Sequence, residues 1–192
     1  RRTPTVHRPR LLACLALLAC AGGAWAQPYA LKAPIAVKPA FLSTVGQSAD
    51  IEMVKVLLDR SGVPHKDNAQ AKAGDLAPSG AKSLVLVLGG STKGLGAAGI
   101  SADAELERAR LLIAEARKLG MTIIGVHVGG EARRGQLSDR FIQAAVPACQ
   151  YLVVVADGDK DGFISRLAGP AIPIDKVERM ARAVEPLQKA FK

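Results

Sequence analysis

The sequence predicts an α/β fold with three layers, in which a mainly parallel sheet is covered by helices on both faces. Short apolar runs alternate with helical patterns along the chain. The runs are apolar at consecutive positions, which is typical of strands buried on both faces. The chain has 192 residues, of which 49% are hydrophobic and 22% are charged, so it is too apolar for a disordered protein and suits one core. These observations together favour a single Rossmann-like domain.

The strands are predicted from apolar runs with turn residues on either side. Pro173 has no N–H for a central ladder, so the segment around it is expected at an edge. The predicted strands are Phe41 to Val45, Val63 to Lys66, Leu84 to Leu88, Thr122 to Val128, Tyr151 to Val155 and Ile172 to Ile174.

The helices are predicted from apolar residues three and four positions apart and from capping residues. The segment from Asp67 to Ser79 is polar and is expected to turn. After the third strand, a glycine-rich loop should delay the helix until Ser101. The predicted helices are Ile51 to Arg60, a helix capped by Ser101 that reaches Leu119, a helix capped by Ser138, Phe163 to Ala168, and a last helix with an Asp175/Glu178 capping box and a kink at Pro186.

Residues 1–26 have the pattern of a secretory signal peptide. Arginines precede an apolar run from Leu11 to Ala21, and Ala24-Trp25-Ala26 offers a cleavage site. We therefore expect an exported protein, periplasmic or secreted, with an extended segment at 27–40, a single α/β domain at 41–192 and no transmembrane helix in the mature form. The residues before Cys20 also resemble a lipobox, which leaves a lipid anchor as an alternative to the soluble product.

Charge and cysteine content narrow the class of partner. Four of the 26 basic residues lie in the leader, which leaves 22 basic against 17 acidic residues and no dense basic stripe. The aromatic residues stand singly, so a nucleic-acid surface is not predicted. Cys149 is the single cysteine of the mature domain, so neither an internal disulfide nor a cysteine-metal cluster is expected.

The candidate site lies in the loops that follow the strands. In parallel α/β sheets, ligands bind at the carboxyl ends of the strands. Four such loops are rich in glycine and polar residues, and we expect them to form one crevice for a small polar or anionic ligand. The predicted ligand-binding residues are Gln47, Ser48, Gly90, Ser91, Lys93, Gly94, Glu131, Arg133, Arg134 and Asp161.

The glycine-rich loop after the third strand has three alternative interpretations. The first is that it binds the small polar or anionic ligand of the predicted crevice, and the second is that it binds a nicotinamide cofactor. Gly90, Gly94 and Gly96 fit the spacing of the short-chain dehydrogenase cofactor loop, and Lys93 adds a positive charge for a phosphate. The motif is on a mid-chain strand, however, and the sequence has no Tyr-x-x-x-Lys pair, so nicotinamide chemistry is a minor alternative. The third interpretation is that these glycines serve only tight packing.

Two other segments partly match known motifs. Ser48 stands where a nucleophile elbow has its serine, but Asp50 replaces the final glycine, and a role of Ser48 as helix cap is favoured over catalysis. Asp157, Asp159 and Asp161 have the spacing of a calcium loop that lacks its final glutamate, so no metal is favoured and these three are weak calcium candidates. His127 lies in an apolar strand and is predicted to be a core histidine.

Several of these segments together resemble one family of exported bacterial proteins, the domain of unknown function DUF6305. The similar segments are Thr44 to Asp50, Gly89 to Ser101, Gly129 to Asp139, Asp161 to Phe163 and Ala183 to Leu187. The resemblance covers nearly all of the mature chain. It implies an α/β domain behind a signal peptide, and it implies no activity.

The favoured function is that of an exported small-ligand binding domain. A hydrolase or transferase using the same crevice is an alternative, and the sequence leaves open whether the protein is an enzyme, because no complete nucleophile–base–orienter set is visible. A non-catalytic protein-interaction module is the third alternative. The cofactor, if any, is unknown.

Overall fold

Residues 29–192 are described by a computed structural model, and they form one six-stranded sheet covered on both faces. All neighbouring strands are parallel, in the order β2-β1-β3-β4-β5-β6. This confirms the predicted α/β fold. The strands are β1 (Ala40–Val45), β2 (His65–Asp67), β3 (Ser83–Leu88), β4 (Thr122–His127), β5 (Tyr151–Val155) and β6 (Ile174–Val177).

Among residues 29–192, seven α-helices form the two outer layers. They are α1 (Ile51–Arg60), α2 (Ala73–Ser79), α3 (Thr92–Ala98), α4 (Ala102–Lys118), α5 (Gln136–Ala145), α6 (Phe163–Ala168) and α7 (Val184–Ala190). The buried residues of α1 and α7 pack in one core and those of α2 to α6 in the other. Successive residues of β3 alternate between these cores, since Val85 belongs to the first and Leu84 to the second. A strand between two cores must be apolar at every position, which explains the consecutive apolar runs.

The strand order places a topological switch point between β1 and β3. The chain leaves β1 toward β2 on one side, and all later strands are added on the other side of β1. The loops after β1 and β3 therefore diverge, and ligands of doubly wound sheets usually bind in the crevice between such loops.

The segment that precedes β1 crosses the opposite, amino edge of the sheet. The N–H of Ala30 donates to Asp175 of β6, and the carbonyl of Ile35 accepts from the Thr122 hydroxyl of β4. The backbone N–H of Val37 donates to the Ser83 hydroxyl of β3, and that hydroxyl donates to the Val37 carbonyl. Ala36 also pairs with Phe191 near the C-terminus. The N-terminal segment thus joins β6, β4 and β3 before it enters β1.

Several local predictions were wrong, among them the kink at Pro186, which lies in the first turn of α7. The segments 73–79 and 92–98, expected as turn and loop, form α2 and α3. The helix expected to be capped by Ser138 begins earlier, at Gln136, because the Ser138 hydroxyl instead accepts from the N–H of Gly90 at 2.9 Å. Asp175 lies in β6 and accepts from the Tyr151 hydroxyl instead of capping a helix.

Candidate functional site

The loops at the carboxyl edge fall into two groups. The first group surrounds the switch point and contains residues 46–50 and 89–94. The second follows β4 and β5 and contains residues 129–139 and 156–162. The predicted site residues are divided between these two groups.

Backbone contacts close the switch point. Gln47 and Gly90 form an antiparallel bridge, and the N–H of Ser91 donates to the carbonyl of Gly46 at 2.8 Å. A Cβ on Gly94 would lie 1.9 Å from the carbonyl oxygen of Gln47, so only glycine allows α3 to approach this loop. The crevice that doubly wound folds leave open here is filled by the chain itself.

A buried ion pair supports this closed junction from below. Glu105 of α4 is 0% exposed, and its carboxylate accepts from the N–H of Gly46 at 2.9 Å and from Nε2 of Gln47 at 3.0 Å. Arg108 completes the cluster with two bonds of 2.7 Å to Glu105 and one to the carbonyl of Thr44. Buried charges need such complete pairing, because an uncompensated one is costly.

The cluster explains the unusual backbone of Gln47, which has a left-handed φ of 56°. Such a conformation is strained for a residue with a side chain and persists only where its surroundings impose it. Here the Gln47 amide is held between Glu105 and the carbonyl of Ala69. Glu105 was not among the predicted site residues, although its position four residues before Ala109 on the apolar face of α4 indicated a buried carboxylate.

Three glycine amides of the glycine-rich loop are already used inside the protein. The N–H of Gly89 donates to the carbonyl of Val45, that of Gly90 to the Ser138 hydroxyl and that of Gly94 to the Ser91 hydroxyl. A phosphate cradle needs such amides free. Gly89, Gly90 and Gly94 therefore cannot supply free amides to the diphosphate of a nicotinamide cofactor.

The remaining predicted residues near the junction have separate environments. Ser48 is 1% exposed, and its hydroxyl accepts from the N–H of Asp50 at 3.2 Å, which is a turn contact and not the setting of a nucleophile. The predicted role of Ser48 as helix cap is wrong, because Asp50 holds the N-cap position of α1. Lys93 is exposed on α3. Arg133 directs Nε at both carboxylate oxygens of Asp50, at 3.1 and 3.2 Å.

An open cavity of about 300 Å³ lies at the second group of loops. Three of the predicted residues, Glu131, Arg134 and Asp161, lie together in its wall. The complete lining is Glu131, Arg134, Gly135, Asp139, Asp157, Lys160 and Asp161. Every lining residue except the glycine is ionisable, with four carboxylates and two cations.

Arg134 holds the two sides of the cavity together. Its Nε and Nη2 donate to Asp139 at 2.7 and 3.2 Å, its Nη1 and Nη2 each donate to Asp161 at 3.0 Å, and Nη1 also reaches the carbonyl of Gly158 at 2.5 Å. A guanidinium has five N–H groups, and these contacts occupy all of them. The hydrogen bonds from Arg134 lower the pKa of Asp161 to about 2.

The other cation of the cavity is less firmly held. Lys160 forms an ion pair of 2.9 Å with Glu131, and both side chains are exposed. The contact lowers the pKa of Glu131 and raises the pKa of Lys160. Asp157 also faces the cavity, and it makes no ion pair or side-chain hydrogen bond within residues 29–192. Both its oxygens are therefore available to a ligand that donates hydrogen bonds.

The three aspartates with calcium-loop spacing turn to different partners. Asp161 pairs with Arg134, Asp157 faces the cavity, and Asp159 is buried, where it accepts from the N–H of Ile164 at 2.7 Å and pairs with Lys176 at 2.8 Å. Burial disfavours the charged form of Asp159, but these contacts outweigh it and keep its pKa below the ordinary value. Within the described residues, no group of three or more His, Cys, Asp or Glu side chains could hold a metal ion.

His127 is fully buried behind this cavity. Its Nδ1 lies 2.9 Å from the carbonyl oxygen of Leu88 and its Nε2 lies 3.2 Å from that of Gly130. Both ring nitrogens face backbone, which fits the predicted role as a core histidine and leaves neither nitrogen directed at the cavity.

Fold and site define the class of this protein as a doubly wound α/β domain with a charged cavity at its carboxyl edge. The chain belongs to the family of the domain of unknown function DUF6305, whose model matches residues 37–191. No curated protein matches the chain. From residue 29 onward, none of the helices is both long and apolar enough to span a bilayer.

Solved structures with a similar fold are distant. The CheY-like protein TadZ from Pseudomonas aeruginosa is 17% identical with a TM-score of 0.35, and the match covers 68% of this chain and 99% of that one. An archaeal fructose 1,6-bisphosphate aldolase is 13% identical with a TM-score of 0.38, and the match covers 79% of this chain and 82% of that one. A GDSL-like lipase from Bacteroides thetaiotaomicron is 12% identical with a TM-score of 0.33, and the match covers 76% of this chain and 71% of that one. These likenesses carry no argument about function.

Proposed function

We propose that this protein is an exported domain that binds a small polar ligand in the cavity at the ends of β4 and β5. The observation that carries the proposal is the concentration of six ionisable side chains around one open cavity of about 300 Å³. That volume is at the lower end of the range for small-ligand sites. Three of the ten residues predicted from the sequence line it, and the ligand-binding role of all ten stays a prediction.

The hydrogen bonds already formed within the cavity favour a ligand that carries a positively charged amine. Arg134 has no N–H left for an anion, and Lys160 is paired with Glu131. The unpaired acceptor is the carboxylate of Asp157. A ligand with an ammonium group would donate to this carboxylate, and charge-assisted bonds of this type are about twice as strong as neutral ones. The anion expected from the sequence would have to displace Glu131 from Lys160.

A thermal-shift panel on the purified protein tests both parts of the proposal. Simple amines, amino acids, carboxylates and phosphate are added singly. A ligand at 100 times its Kd stabilises by about 2.7 kcal/mol, which corresponds to a Tm rise of roughly 5 to 10 °C for a domain of this size. We expect such a shift with amine-bearing compounds, lost in Asp157→Asn and kept in Asp59→Asn, an exposed carboxylate on α1.

The outcomes separate the proposals. A shift with carboxylates or phosphate alone, lost in Lys160→Gln, would overturn the amine and keep the cavity. A shift that survives both cavity variants would overturn the cavity. The absence of any shift would overturn ligand binding and favour the protein-interaction alternative.

Export is also part of the proposal. The leader, residues 1–26, lies outside the described residues, so export rests on its sequence pattern. We propose cleavage after Ala26, which would give a soluble product that begins at Gln27. Fractionation of expressing cells, with N-terminal sequencing of the product, tests this. The Cys20→Ala variant should be exported unchanged. A product whose processing depends on Cys20 would establish the lipid anchor instead, and a product that keeps residues 1–26 in the cytoplasm would overturn export.

A further inference from the structure

A second concave surface lies between α4 and α5, on the outer face of the domain and apart from the carboxyl-edge cavity. It encloses about 240 Å³. A cavity of about 150 Å³ is known to accommodate a benzene ring, so this groove can receive an apolar side chain. Its lining is Arg110, Ile113, Ala114, Arg117, Ala144, Pro147 and Ala148.

The charge of this groove differs from that of the cavity at β4 and β5. Two arginines line it, and none of its lining residues is acidic. Within residues 29–192, Arg110 makes no ion pair or hydrogen bond, and Arg117 makes one long contact of 3.5 Å to the carbonyl of Pro147. By contrast, Arg133, Arg134 and Arg140 each pair with a carboxylate. The two groove arginines therefore keep their donors for an acidic partner.

The spacing of the groove residues indicates the shape of that partner. Arg110, Ile113, Ala114 and Arg117 occupy positions i, i+3, i+4 and i+7 of α4. The two arginines are therefore about 10 Å apart along the helix axis. A second helix with acidic residues seven positions apart has the same separation between its charges, and apolar residues three and four positions after the first one would face the groove.

We infer that the α4–α5 groove is a docking surface for an acidic amphipathic helix of a partner protein. Its two carboxylates pair with Arg110 and Arg117, and its apolar side chains enter between Ile113 and Pro147. Leu111, which follows Arg110 in α4 and is 54% exposed, adds an apolar side chain beside the groove. This inference does not depend on the ligand proposed for the carboxyl edge.

Fluorescence anisotropy with the whole protein tests the inference. The probe is a labelled, alanine-based peptide of about 16 residues, long enough to be helical, with two glutamates seven positions apart and two leucines between them. We expect saturable binding that the double variant Arg110→Glu/Arg117→Glu weakens at least tenfold. A peptide with lysines in place of the glutamates should bind this variant and not the wild type.

The control is the double variant Arg60→Glu/Arg179→Glu, which changes net charge equally at two exposed arginines, one on α1 and one in the bend after β6. We expect it to bind the glutamate peptide within twofold of the wild type. The inference is overturned if the wild type does not bind this peptide, if a glutamine version binds equally well, or if the control variant loses as much affinity as the groove variant.

Discussion

At the switch point, glycines bring one loop of backbone against another, whereas at the ends of β4 and β5 charged side chains stand around an open cavity. Both regions lie at the carboxyl edge of the same sheet, and both follow strands of similar apolar sequence. In the first, Gly94 touches the carbonyl of Gln47 and a buried Glu105 fills the space below. In the second, Arg134 spans from Asp139 to Asp161 and leaves room beside it.

The difference shows that a glycine-rich loop in this fold is not by itself a sign of a ligand. Small residues let the chain occupy its own crevice, and the amides of Gly89, Gly90 and Gly94 are used within the protein. Long charged side chains cannot pack so closely, so the ion pairs of Arg134 tie the β4–β5 loops together across a space that stays open. The open cavity at β4 and β5 is therefore displaced from the switch point by two strands.

The substitution expected to have the largest effect on the closed junction adds a single methyl group at Gly94. Gly94→Ala would place a Cβ 1.9 Å from backbone that cannot move without opening the junction. We expect a loss of about 3 kcal/mol or more in the free energy of unfolding, measured by urea denaturation. Gly96→Ala in the same helix is the matched control, because a Cβ there would meet nothing within 4 Å. It should be neutral or stabilise by up to about 1 kcal/mol. Equal midpoints for the two variants would refute the closed junction.

The buried ion pair under the junction provides the next largest effect. Glu105→Gln leaves the Arg108 guanidinium without its carboxylate in a buried setting, so we expect a loss of about 3 kcal/mol in the free energy of unfolding. Glu107→Gln, an exposed glutamate two positions along the same helix, should change it by less than about 0.5 kcal/mol. If the Glu105 variant is as stable as the Glu107 variant, the cluster does not support the junction.

Arg134 should matter through its shape as well as its charge. Arg134→Lys keeps the charge but cannot reach Asp139, Asp161 and the carbonyl of Gly158 together. We expect a loss of about 1 kcal/mol in the free energy of unfolding and wider motion of the 156–162 loop in hydrogen exchange. Arg133→Lys should have a smaller effect, since Arg133 uses only Nε toward Asp50. The reverse order of the two variants would contradict the structural role of Arg134.

The smallest expected effect is on the acid limb of stability. The pKa of Asp161 is about 2 in the folded protein, below its ordinary value of 3.8, because Arg134 donates to its carboxylate. Its contribution is therefore complete above about pH 4 and is lost as the pH falls through 2. Asp161→Asn should flatten the dependence of the urea midpoint on pH between 4 and 2 relative to the wild type. An unchanged slope in Asp161→Asn would exclude this ion pair in solution.

The elements that could be predicted were those with a local cause. The consecutive apolar residues of β3 and the Ser101 cap of α4 each depend on neighbours within a few positions, and both were correct. The missed helix α3 contains two glycines, Gly94 and Gly96, that argue against a helix on local grounds. Its packing against Gln47, 47 positions earlier, overrides that preference.

The same distinction applies to the candidate site. The sequence alone determined that charged and glycine-rich loops would meet at one edge of a parallel sheet, because all strands of such a sheet end on the same side. Only the tertiary structure decided which of those loops leave a cavity and which arginines are already occupied. Arg134 could pair with water, a ligand or an aspartate 27 positions away, and its sequence neighbours do not distinguish these states. The choice depends on which carboxylates the fold brings within hydrogen-bond distance, as it does for Asp161 at 3.0 Å.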